Sequence, residues 1–137
     1  MEYDIKEAEA YEAFKSGDLA KGLQIFEELL NQGCRNSNVV SEFLKVLYRE
    51  CKSKYLNYSE NNIKEDLLEQ WASLLFRVNN YSDGIEILDY ILEHINDQNE
   101  YVWFKKGSIL TTRLDLNNEV RKKYYTNVIL AVTRKIS

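Results

Sequence analysis

Histidine, cysteine and paired acids are the residue types that could carry chemistry in this chain, and their spacing suits none of it. His94 is the single histidine, and neither Cys34 nor Cys51 has a second ligand beside it. A zinc site gathers three or four nitrogen and sulfur ligands, so no metal is expected. A cysteine or serine nucleophile needs an adjacent base, and nothing in the pattern supplies one. His94 falls in the last turn of an amphipathic stretch and reads as a solvent-facing residue at the negative end of a helix dipole. The closest acidic pairs, Glu27-Glu28 and Glu65-Asp66, read as exposed helix faces, whereas paired-carboxylate catalysis would need them in a cleft. No glycine-rich phosphate loop occurs. The expectation is a chain that is not an enzyme and binds no cofactor.

The basic end offers a different chemistry. Lys105-Lys106, Arg113, Arg121-Lys122-Lys123 and Arg134-Lys135 are interleaved with Tyr101, Trp103, Phe104, Tyr124 and Tyr125, a mixture that can grip nucleic acid. Residues 98–137 hold eight basic against three acidic side chains, a net of +5, while residues 1–97 hold ten against nineteen, a net of −9. The isoelectric point of about 5.1 argues against a phosphate-binding surface. An acidic peptide is therefore the expected target of these charges, with nucleic-acid binding through the basic C-terminal helices as the alternative.

The elements that must position these groups are helices. Proline is absent and glycine occurs five times in 137 residues, which removes the helix breakers and leaves little turn material for a sheet. With 45% hydrophobic and 29% charged residues, one folded domain over 1–137 is expected. Val128–Val132 is the longest apolar run and is far too short to span a bilayer, and MEYDIKEAEA is no signal peptide. A cytoplasmic protein with two free thiols and no membrane insertion follows.

Apolar spacing and capping residues place about seven helices. The first, Tyr3–Lys15, ends at Ser16-Gly17-Asp18, where Gly17 can turn left-handed and Asp18 can cap Leu19–Asn31. Val39–Ser53 has a wide apolar face suited to neighbours on two sides. Ile63–Val78, capped by Asn62 with Glu65, and Asp83–Ile95, capped by Ser82, flank the turn Asn79-Asn80-Tyr81-Ser82. Glu100–Leu114 and Asn118–Lys135 complete the chain. Three hairpins are expected, at about 3–31, 63–95 and 100–135, with an extra helix at about 39–53.

Aligned on their turns, the hairpins repeat an order of sizes. A small residue lies about seven before the turn (Ala10, Ala72, Gly107), an apolar or aromatic one follows it (Leu19, Tyr81, Leu116), and a large one comes later (Phe26, Leu88, Tyr124). Gly22 and Gly84 sit three residues past Leu19 and Tyr81. Small residues let helix axes approach and bulky ones fill the groove beside them. At these residues, best in Ala8–Leu30 and Trp71–Leu92 and less well in Trp103–Leu130, the chain resembles the tetratricopeptide repeat family of helix–turn–helix units. It departs from that family in lacking the closing proline, with Cys34 and Asn96 near where it would fall.

The resemblance implies a short right-handed superhelix that holds another protein or a peptide against its first helices. The lining residues would then be Glu7, Tyr11 and Phe14, followed by Glu69, Ser73, Phe76 and Arg77, and finally Tyr101, Phe104, Ser108 and Thr111. Equally, Phe14, Phe76 and Phe104 could be core, since aromatics at helical spacing usually pack. The family's clamp for chaperone C-termini is not reproduced, because Glu7, Tyr11 and Tyr101 stand where basic or amide groups are needed. The expected function is a non-catalytic interaction module, an adaptor or subunit of a larger assembly. A small dedicated chaperone for a secreted or assembly-bound partner is the alternative, and a homo-oligomer remains open.

Overall fold

Gly17 and Asn79 are the described residues with positive φ, at 97° and 64°, and each reverses the chain between two helices. Glycine has no Cβ to clash there, and asparagine tolerates the left-handed region better than most residues. The structure, a computed structural model, describes residues 2–32, 37–57 and 63–112 together with Thr126 and Leu130. The helix expected over Asn118–Lys135, along with Cys34 and the Asn62 cap, lies outside them.

All six helices of the described residues are α: α1 (Glu2–Ser16), α2 (Leu19–Asn31), α3 (Ser37–Tyr55), α4 (Glu65–Arg77), α5 (Tyr81–His94) and α6 (Glu100–Thr112). The chain is all-helical there, as composition requires. Asp18 caps α2 by accepting a hydrogen bond from the Lys21 amide at 3.1 Å. The Ser82 cap expected for α5 does not form, because that helix starts earlier, at Tyr81, with Asn80 in the N-cap position. There the Asn80 side-chain amide donates to the Asp83 carboxylate at 2.7 Å, which leaves Ser82 inside the first turn.

The tight turns make hairpins of α1 with α2 and of α4 with α5, and α2 packs on α4 as α5 does on α6. Directions follow from which residues meet. The last turns of α1 and α3 lie together, since Tyr55 and Lys54 reach the carbonyls of Phe14 and Lys15. Helices α2 and α4 run the same way, with Gln70 donating to Glu27 and Leu30 sharing a groove with Arg77 and Val78. Asn99 meets Glu65 and Glu69 while Lys105 lies over Phe76, so α6 runs with α4. Tyr48 and Lys52 both reach Glu86, which brings α3 to α5. Odd-numbered helices thus neighbour one another, as do even-numbered ones.

Trp71 sits where these neighbours converge. It is fully buried, with ring centroids 5.7 Å from Phe14, 5.1 Å from Tyr48 and 5.7 Å from Tyr55. Tilted and edge-to-face aromatic pairs of this kind add about 0.5–1.5 kcal/mol each to their area burial. The single indole ring joins α1, α3 and α4. Its Nε1 hydrogen is buried without an acceptor, an uncompensated cost of about 1–3 kcal/mol that the packing must exceed. Ala10 and Ala72 are buried, at 0% and 1% exposure.

Candidate interaction surface

Helix α6 is oriented by bonds on both flanks, and this leaves one face turned outward. Asn99, 9% exposed, accepts the Val102 amide on its side-chain oxygen at 3.0 Å and caps the helix. Its amide nitrogen donates to Glu69 at 2.9 Å and to Glu65 at 3.1 Å, fastening the start of α6 to α4. Further along, the Lys105 ammonium lies 5.8 Å from the Phe76 ring centroid, also on α4. Toward α5, Lys106 approaches the Asp89 carboxylate oxygen at 2.5 Å. That oxygen has no aligned hydrogen-bond donor, so the contact is an ion pair whose angle is poor for a hydrogen bond. Trp103 Nε1 donates back to the Asp97 carbonyl at 2.9 Å.

With those side chains engaged, Tyr101 and Phe104 remain 51% and 54% exposed, and Ser108 lies exposed on the same face one turn on. Residues three and seven apart on a helix share a side. Two large aromatics left open together make a surface that can bury apolar area against a partner. Lys105, half-buried beside Phe104 in sequence, brings positive charge next to it.

The other residues implied by the resemblance are placed differently. Phe14 is 0% exposed, packed between Phe26, Tyr55 and Trp71. Phe76 is 7% exposed and stacks on Tyr81 with centroids 6.4 Å apart. Both are core and offer no surface to a ligand, which corrects their assignment to a groove. Glu69 is half-buried and engaged by Asn99, and Ser73 is half-buried. Glu7 and Tyr11 lie on α1, half-buried and exposed respectively, with the Lys15 ammonium 5.2 Å over the Tyr11 ring. Helix α1 neighbours α2 and α3. Thr111 lies in the last turn of α6, and its side chain is outside the described set.

The Cys51 thiol is 2% exposed, and burial raises its pKa, with the Lys15 charge only partly opposing this. Such a thiol stays protonated and is a poor nucleophile. His94 is exposed, 3.8 Å from Glu93, with its ring tilted against that of Tyr90 at 5.0 Å between centroids. Among the described residues no three His, Cys, Asp or Glu side chains are gathered to hold a metal, and no helix is long and apolar enough to cross a membrane.

A second concavity, of about 460 Å³, runs along the free side of α1 and the start of α2, with Ile5, Ala8, Glu9, Glu12, Ala13, Ser16, Asp18 and Lys21 around it. Sequence reasoning missed it because Ile5 and Ala8 lie on the apolar stripe it assigned to the core. No protein-family model matches the chain, and neither a curated protein nor a solved structure is detectably similar to it.

Proposed function

We propose that this chain is a non-catalytic protein-interaction module, an adaptor or subunit of a larger assembly in the cytoplasm. Its helices would stack as a short superhelix of the tetratricopeptide kind. The stacking half of the proposal is supported by the burial of the small residues Ala10 and Ala72 and by the neighbour relations of α2 with α4 and α5 with α6. The observation that carries the function is the pair Tyr101 and Phe104, more than half exposed on a helix whose remaining large side chains are engaged. An acidic peptide or helix suits this face, with its apolar side on the two rings and its carboxylates toward Lys105.

The test is affinity capture from the native host with the wild-type chain and with Tyr101→Ala/Phe104→Ala. Exposed positions lose little stability on truncation, so the variant should keep its helix content and melting temperature while losing the captured protein. Retention of the same partner by the folded variant would refute the α6 surface.

A further inference from the structure

We propose that the groove along α1 seats the basic C-terminal segment, residues 113–137, of a second copy of this chain, so that copies associate head to tail. This goes beyond the α6 surface and does not depend on it. The groove has the shape and lining that a helix requires. Ile5, Ala8, Glu9, Glu12 and Ser16 fall at helical spacing along one side of α1, with Asp18 and Lys21 from the start of α2 closing the groove at one end. Five to sixteen is about 16 Å of helix at 1.5 Å per residue, long enough to hold three turns of a partner helix. Ile5 is 61% exposed, and with Ala8 and Ala13 it gives the groove an apolar floor.

The rim selects the occupant's charge. Among the described residues Glu9, Glu12 and Asp18 stand against Lys21 alone in the lining, and neither Glu9 nor Glu12 has an ion-pair partner there. Like charges beside an apolar floor repel one another until a cation arrives. The same sequence holds the complement. Residues 1–18 contain six acidic and two basic side chains, and residues 113–137 contain six basic and two acidic ones. In that segment Val120, Tyr124, Val128 and Ala131 recur at helical spacing with Arg121, Lys122 and Lys123 beside them, the pattern of a basic amphipathic helix.

The packing order makes the partner a second copy. From α1 it runs through α2, α4 and α5 to α6, the helix that residues 113–137 follow in sequence. A contact between unlike ends is heterologous and can propagate from copy to copy.

Sedimentation velocity on the full chain tests this directly. Wild type should self-associate with rising concentration and dissociate as salt is raised. Glu9→Lys/Glu12→Lys and Arg121→Glu/Lys122→Glu/Lys123→Glu should each weaken association about ten-fold or more, as expected when several facing charges are reversed. Mixed together, the two variants should associate again, since the intact tail of one meets the intact groove of the other and the two reversed surfaces are themselves complementary. Circular dichroism confirms that both remain helical. A wild-type chain that stays monomeric in low salt overturns the proposal, whether because the tail folds back on its own chain or because the groove takes another protein. So do variants that associate as wild type does, or a mixture that fails to pair.

Discussion

Tyr55 donates its phenolic hydrogen to the carbonyl oxygen of Phe14 at 2.7 Å, joining residues 41 apart in sequence. Phe14 is in the last turn of α1, where carbonyls have no amide four residues ahead to pair with. Lys54 supplies the neighbouring Lys15 carbonyl at 2.6 Å, and its charge also complements the negative end of the helix dipole. The end of α3 therefore serves as the cap of α1.

Tyr55→Phe should cost about 1–3 kcal/mol, because the ring contacts survive while a buried carbonyl is left unpaired. Denaturant unfolding measures this through the midpoint, with an unchanged slope expected. A loss below a few tenths of a kcal/mol would mean that water replaces the hydroxyl, and that the cap is not structural.

Gly84→Ala and Gly22→Ala should both destabilise, although alanine favours helix by up to about 1 kcal/mol over glycine. A Cβ at residue 84 would fall on the Phe76 ring, and one at residue 22 would lie 2.6 Å from the Phe14 ring. Phe14 cannot withdraw, being held by Phe26, Tyr55 and Trp71. Overpacking costs about 1–3 kcal/mol, so the steric term wins. Combining Gly84→Ala with Phe76→Leu should recover part of the loss, and strictly additive effects in the double-mutant cycle would show that the two positions do not touch.

Those glycines mark how far the sequence could be read. Local chemistry was legible: Gly17 and Asn79 with positive φ, the Asp18 cap, and α2 at its expected bounds all follow from rules that act within a few residues. What lay beyond was which apolar stripe meets which. Phe14 and Phe76 recur at the spacing of a ligand-lining row, but each ring fills the space left by a glycine on the next helix, so both are core. Tyr101 and Phe104 have the same residue types and similar spacing, and stay exposed because Asn99, Lys105 and Lys106 orient α6 from its flanks. That orientation depends on Glu65, Glu69 and Asp89, 17 to 34 residues away, and no local pattern encodes it.

Alkaline pH should unfold the protein by way of its buried phenols. Burial pushes Tyr55 up to about 12. Tyr48 is raised further, first by burial and then by its 2.6 Å hydrogen bond to Glu86. Unfolded tyrosine ionises near pH 10. Above that value the unfolded chain releases protons that the folded chain retains, so stability is complete below pH 10 and declines as pH rises through the folded values. Tyrosinate absorbance and circular dichroism should report these two residues ionising together with helix loss, and Tyr48→Phe/Tyr55→Phe should flatten the decline. Ionisation near pH 10 with helicity intact would contradict it.

Asn99 is the residue through which the fold holds the α6 surface in place. Asn99→Ala removes the cap and leaves Glu65 and Glu69 without their shared donor, a cost of about 1–2 kcal/mol by analogy with other N-caps. Asn99→Asp separates the two roles. Its carboxylate can still accept the Val102 amide, but it places a third negative charge against Glu65 and Glu69, which are donated to by the amide nitrogen in the native chain. Repulsion raises the carboxyl pKa values of the folded variant above their unfolded values, so its stability is highest at acid pH and falls as pH rises through the carboxylate range. Wild type lacks that added charge and should not show the same decline. Thermal melts of the three proteins between acid and neutral pH read the difference. If Asn99→Asp matched wild type at neutral pH, the amide bonds to α4 would be dispensable, and the exposure of Tyr101 and Phe104 would need another cause.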